Sequence, residues 1–264
     1  MGKYFNITVK PTISVAALAA GNITSAEILS DWQGFDVPKG ASKLIGVTIL
    51  YDGKNGVDYT PTDFELFWAK SILGTPPPTM GASGAQISAY GWFDNIIGKT
   101  FIDASSGGSN DANLVVGNVV TTGNVAGGAS ASSGGTGNAL VLQGEPDSGT
   151  NVGFDTIYVA AMSHATHNWG ASTMQVSTET TTSSPVIIVK TLNALISVGH
   201  GDILRDEDDQ LLGTVKTVDS ATQITLEANC ASVSAVNKLV YVTTPITLML
   251  SFETVSYTHL RAHE

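Results

Sequence analysis

The chain has 264 residues, enough for one large β domain or two unequal ones with a substantial core. It carries 23 Asp and Glu against 12 Lys and Arg, a formal net charge of −11, and no basic cluster interleaved with aromatics, so nucleic-acid phosphates are not an expected partner. Only 13% of residues are charged, while 28 glycines and many Ser, Thr and Asn residues separate short apolar runs, which describes a turn-rich chain with an uncharged polar surface. The single cysteine, Cys230, excludes an internal disulfide; beside Ala228, Ala231 and Val233 it reads as a buried thiol, and this cysteine usage fits a reducing compartment. The opening MGKYFNITVK has no apolar signal-peptide core, and the longest apolar runs fall short of a membrane span, so neither secretion by a signal peptide nor a membrane partner is expected.

In chain order, residues 4–9 alternate as an extended strand, and Pro11 marks an edge or bend. Residues 22–31 offer Ser25 as a helix cap followed by Glu27, but the segment is short enough to be a turn or another strand. Trp32, Phe35 and Val37 form a strand running into Pro38-Lys39-Gly40. The centre of the fold is expected in residues 42–71, as two core strands. In the first, Ile45, Val47, Ile49 and Tyr51 share one face and Leu44, Gly46, Thr48 and Leu50 the other. In the second, Phe64, Leu66 and Trp68 alternate with Asp63, Glu65, Phe67 and Ala69. Asp52-Gly53 and Asn55-Gly56 between them predict a chain reversal and hence a hairpin.

Pro76-Pro77-Pro78 predicts a rigid extended exit from this core. Residues 87–93 resume an alternating strand, with 99–103 as its partner. Residues 104–138, rich in Gly and Ser and without an aromatic, read as a long surface loop with at most one short strand, around 114–120. Residues 139–143 and 154–162 return to strand character. Residues 185–243 differ: short strands at 186–192, 202–205, 211–218, 224–228 and 239–242, with regular turn signals, are expected to close as a small barrel. The alternation of Ile246, Leu248, Leu250 and Phe252 continues the first core, which makes the barrel an insertion before a final strand of that first unit. The expected division is 1–178 with 245–254, then 179–244, with 255–264 apart.

Two stretches carry a family resemblance. GHGDILRDEDDQLLGTVKTVDSATQITLEAN, residues 199–229, is similar to a small module of virion structural proteins of tailed phages, especially marine ones. DWQGFDVPKGASKLIGVTILYDG, residues 31–53, followed by DFELFWAKS, residues 63–71, resembles the jelly-roll part of phage structural proteins. The resemblance implies an all-β fold: a jelly-roll-like β-sandwich carrying an inserted small SH3-like β-barrel. It implies a capsid decoration or head-associated component assembled in the host cytoplasm, whose partners are other copies of itself and the major capsid or other virion proteins. The alternative is a carbohydrate-binding or receptor-binding module of a virion tip, with Trp32, Trp92 and Trp169 as the residues for a glycan. No functional residue is carried over from the family. VSYTHLRAHE, residues 255–264, resembles instead the translation of a transposase-based sequencing adapter. A non-native tail is therefore expected there, which removes His259, Arg261 and His263 from any site.

Chemistry-bearing motifs are sparse. Gly98-Lys99-Thr100 resembles the end of a phosphate-binding loop, but Phe93 stands where the loop needs its first glycine, so Lys99 reads as an ordinary lysine. His164 and His167 lie three apart, on opposite faces of an extended segment and without a third ligand nearby. Asp206, Glu207, Asp208 and Asp209 crowd one turn without the ligand spacing of a calcium loop; Asp103, Asn110 and Asp111 flank a Gly-Ser loop in the same way. No Gly-x-Ser-x-Gly elbow occurs. The expectation is a protein that is not an enzyme, with no catalytic residue, cofactor or metal.

Overall fold

In this computed structural model the described residues are 4–52, 54, 62–88, 90–102, 108–111, 114–119, 140–146, 154–169, 172–190 and 198–254. The tail at 255–264 and most of the loop at 104–138 lie outside them. The protein is nearly all β, as expected, with two sheets packed as a sandwich and a third that curls into a half-barrel.

The first sheet contains β1 (Tyr4–Val9), β3 (Ala41–Asp52), β6 (Gly108–Asp111), β7 (Leu114–Val119), β8 (Leu140–Gln143) and β16 (Ile246–Thr254), in the order β1-β16-β3-β7-β6 with β8 also on β3. The second runs β2 (Ile28–Pro38), β9 (Phe154–Ser163), β4 (Phe64–Lys70), β5 (Ile96–Ile102). With β6 to β8 sharing the sixth place, the sandwich strands read first, eighth, third, sixth in one sheet and second, seventh, fourth, fifth in the other. That is jelly-roll order. Leu44, Val47 and Ile49 from β3 and Leu248, Leu250 and Phe252 from β16 bury against Phe64, Leu66 and Trp68 from β4 and Ile157 and Val159 from β9.

β3 and β4 are therefore not a hairpin: β3 pairs with β16, β7 and β8, while β4 pairs with β9 and β5. Both strands are apolar enough to be central, so each takes neighbours on both sides and they face one another across the core. The faces of β3 also differ from simple alternation. A register shift against β16 between Ser251 and Phe252 places an extra residue at Ile45–Gly46. Leu44 consequently points into the core together with Val47 and Ile49.

Residues 15–20 and 87–93 depart from the sequence pattern, while residues 24–27 take the turn form that it allowed. Val15–Ala20 is a short helix, α1, whose N-cap Ser14 accepts from the Ala17 N–H and whose C-terminal Gly21 has φ 82°. Residues 24–27 form a turn in which the Glu27 carboxylate accepts the Thr24 N–H, with no helix starting at Ser25. The described residues of 87–93 are not a strand: they lead into a 3-10 turn, Phe93–Asn95, and β5 pairs with β4 instead. The apolar alternation there serves another purpose. The connection from β4 to β5 folds over the outer face of the second sheet, where Met80 and Trp92 bury with Ile28 and Ala160 against Trp32, Phe67, Ile87 and Ile96. The 104–138 stretch contributes two short strands, β6 and β7, with β7 seated on β3.

The third sheet runs β10 (Val176–Thr178), β11 (Val186–Val189), β14 (Gln223–Leu226), β13 (Leu211–Ser220), β12 (Ile203–Asp206), β15 (Val240–Val242). Its ends approach each other: Gln175 and Leu239 form a bridge, the Val240 N–H donates to the Met174 carbonyl at 2.8 Å and the Val176 N–H to the Lys238 carbonyl at 2.9 Å. The small unit thus begins before the expected boundary at 178, because β10 and Met174 belong to its core with Ile187, Leu204, Val215 and Leu226. β16, directly after it, pairs with β1 and β3 and with no strand of the half-barrel.

Candidate functional site

The half-barrel meets the sandwich on one carboxylate. Asp202, 1% exposed at the start of β12, accepts Lys10 Nζ on Oδ1 and Lys54 Nζ on Oδ2, both at 2.8 Å. The Gly199 N–H adds a 2.8 Å bond to Oδ2, and Lys10 also donates to the His200 carbonyl at 2.7 Å. Lys10 follows β1 and Lys54 follows β3, so the two cations come from one end of the first sheet. A buried carboxylate between two ammonium groups and a backbone donor has its charge compensated, and the arrangement locks two units together with only Lys10 partly exposed. Ile13 reinforces it by donating its N–H to the Thr243 carbonyl at 2.8 Å, and Tyr241 of β15 packs into the sandwich core. Sequence reading did not single out these residues. The pairs span 192 and 148 positions, and no local pattern announces them.

The histidines do not converge. His167 is buried, stacked on Trp169 with ring centroids 5.3 Å apart, and its Nδ1 lies 2.8 Å from Thr62 Oγ1. Burial pushes its pKa down from 6.5 to about 4, against a weaker upward pull from the Asp63 carbonyl. His164 stays partly exposed, its Nε2 3.5 Å from Glu65. Lys99 binds the same Glu65 at 2.8 Å across the β4–β5 pair, which makes the lysine of the Gly-Lys-Thr run a cross-strand partner.

The acidic turn is partly compensated from within the protein, by two cations against four carboxylates. Lys238 reaches Glu207 at 3.0 Å and Asp208 at 2.8 Å, and Arg205 reaches Asp209 at 3.5 Å. The two acids hold the Lys238 pKa well above its usual value. Asp206, buried, accepts the Asp208 and Gln210 N–H groups and the Ser234 hydroxyl, so it builds the turn. No group of three or more metal-ligating side chains gathers among the described residues. Asn110 and Asp111 lie in β6 with only their backbone described, and Asp103 lies outside the described residues. Cys230 is buried, and desolvation raises its pKa.

The tryptophans nominated for a glycan are mostly interior. Trp92 and Trp169 are buried, and Trp32 is partly covered, its indole N–H donating to the Pro78 carbonyl at 2.9 Å and its ring edge-on to Trp92 at 5.8 Å. What is exposed lies beside them. Tyr90 is 57% exposed and Phe93 54%, their rings 5.0 Å apart, and Phe93 rests edge-on against Trp92 at 4.6 Å. At the same end of the second sheet, just past Lys70, Ile72 and Thr75 exchange two backbone bonds of 3.0 Å around Leu73-Gly74. The Asn95 amide donates to the Lys70 carbonyl at 2.8 Å, which fixes the proximity of the two segments. Leu73 has φ 51° and is 94% exposed. A leucine in the left-handed region costs about 1–2 kcal/mol, and this one recovers none of it by burial. The turn geometry asks for Asn-Gly, and a Leu-Gly pair before the proline run was the available signal.

The arrangement offers electrostatic locking inside the chain and an apolar end outside it. No protein-family model matches this chain, and neither a curated protein nor a solved structure matches it.

Proposed function

We propose that this chain is a structural subunit of a tailed-phage virion, a capsid decoration or head-associated component, and that it acts by packing against other copies or the major capsid protein. The observation that carries the reading is the exposed apolar surface of the connection from β4 to β5, with Ile72 and Leu73 in one turn and the Tyr90–Phe93 ring pair further along. Its central leucine is held at φ 51°, a conformation that leaves the side chain in water. A strained, exposed apolar side chain is a cost to an isolated molecule and a gain to one that buries it against a neighbour. The jelly-roll order and the polar, weakly charged surface support the same reading, since such a sandwich is a rigid block for lattice packing.

The test separates stability from assembly. Leu73→Asn creates the Asn-Gly pair the turn favours and removes the apolar tip, so the isolated protein should gain about 1 kcal/mol. Its incorporation into particles, followed by electron microscopy of purified virions with this chain located in the density, should fall at least several-fold. Unchanged incorporation refutes the role given to this surface, and particles that lack the chain altogether refute the virion reading.

A further inference from the structure

A sheet edge is an open row of backbone donors and acceptors, and proteins that remain monomeric obstruct it. Among the described strands of the sandwich, five have one unpaired side, β1, β2, β5, β6 and β8, and all but β1 are obstructed. β2 carries Asp31 and Asp36, two register breaks and a terminal Pro38, and Ile28 is bonded on its outer side to residues 84 and 85. β5 carries Lys99 and a register break against β4. β6 and β8 have only four residues each, too short a row to template a partner. The remaining edge, β1, has none of these devices. YFNITV contains no charge, proline or glycine, and its six residues pair with β16 from Tyr4↔Glu253 to Val9↔Leu248 without a register shift. No strand pairs with its other side among the described residues. Phe5 and Ile7 point into the core yet stay partly exposed, while Val9, further along, is buried. The open edge leaves this apolar surface uncovered.

We propose that two copies of this chain join antiparallel through β1 about a two-fold axis, fusing their first sheets into one. On a molecule of net charge −11, an uncharged strand is a place where two copies meet without placing acid against acid. The pleat fixes the register, because core-facing residues must lie opposite core-facing residues. Centring the axis on Ile7 sets Ile7 against Ile7 and Phe5 against Val9 on the core side, and Asn6 against Thr8 on the outer side. Centring on Asn6 pairs Phe5 with Ile7 but leaves Val9 opposite no residue of β1, so the Ile7 register is the one that matches all three core-facing residues. The contact is isologous and closes at two copies. It does not rest on the virion reading, since a dimer of this kind serves a glycan-binding protein equally well.

Sedimentation velocity of the full chain tests it, with circular dichroism reporting the fold. The wild type sediments as a dimer. Asn6→Glu with Thr8→Glu, both exposed on the outer face, sets like charges opposite each other and yields a folded monomer. Asn6→Lys with Thr8→Glu sets opposite charges across the axis and restores the dimer, an outcome specific to the Ile7 register. Ile7→Cys puts a thiol on the axis and gives a disulfide-linked dimer on oxidation, a readout that survives if the glutamate variant fails to fold. A wild type that is monomeric at its highest soluble concentration, a double-glutamate variant that dimerises as before, or an Ile7→Cys variant that does not cross-link overturns the proposal.

Discussion

His167 shows how far a single side chain commits itself to the folded state. Its imidazole is 1% exposed between Phe64 and Trp169, and burial lowers its pKa to about 4, so the fold favours the neutral ring. The unfolded chain takes up the proton first, near pH 6.5. The contribution is therefore complete above about pH 6.5 and is lost as the pH falls towards 4, where roughly 3 kcal/mol is gone. Urea midpoints measured at pH 7 and pH 4 should show this loss, and His167→Gln should flatten that part of the profile. Asp202 works in the opposite sense, as a charge kept inside by two partners. Asp202→Ala strands Lys54, whose side chain is only 8% exposed, and should cost about 3 kcal/mol or more. The double variant Asp202→Leu with Lys54→Met removes both charges together. It should be less destabilised than the sum of its two single variants, which denaturant melts of all three can check.

At the scale of elements, alternation identified most of the strands but not their neighbours. β14 and β16 bury one face in alternation, and β9, apolar throughout, is buried on both, so all three lie where strand character predicted them. The β3–β4 hairpin failed because residues that permit a reversal do not say whether the chain returns to the same sheet or crosses to the other. The bulge at Ile45–Gly46 moved Leu44 to the face of Val47 and Ile49, since one inserted residue switches the side chains on one side of it relative to the other. Residues 87–93 alternate like a strand, yet they cover a sheet; Trp92 buries on the outer surface while Tyr90 and Phe93 stay in water. In the half-barrel the irregular element is β13. Gly213, at φ 148°, lies where a Cβ would stand 2.9 Å from Leu226 Cδ1. Gly213→Ala should therefore cost about 1–3 kcal/mol through strain and overpacking, read as a lower melting temperature.

The sandwich core and the half-barrel core are joined by a polar lock, and the site residues that matter at this scale were the least legible. Asp202, Lys10 and Lys54 meet only when the chain has closed over long separations, whereas the spacing of the half-barrel strands is local and could be read directly. With a core of its own running from Met174 to Val242, the half-barrel should fold as a separate fragment of residues 172–244, giving a dispersed amide spectrum and a cooperative melt. A fragment without either would mean that its core depends on the sandwich. The placement of β16 also has a consequence for synthesis. This strand lies between β1 and β3, yet it leaves the ribosome only after the entire half-barrel has been made. At about 5–20 residues per second, β1 waits roughly ten to fifty seconds for the strand it will pair with. During translation the inserted unit can complete its own core first, while YFNITV, uncharged and unpaired on both sides, is held open as a segment for a nascent-chain chaperone to shield.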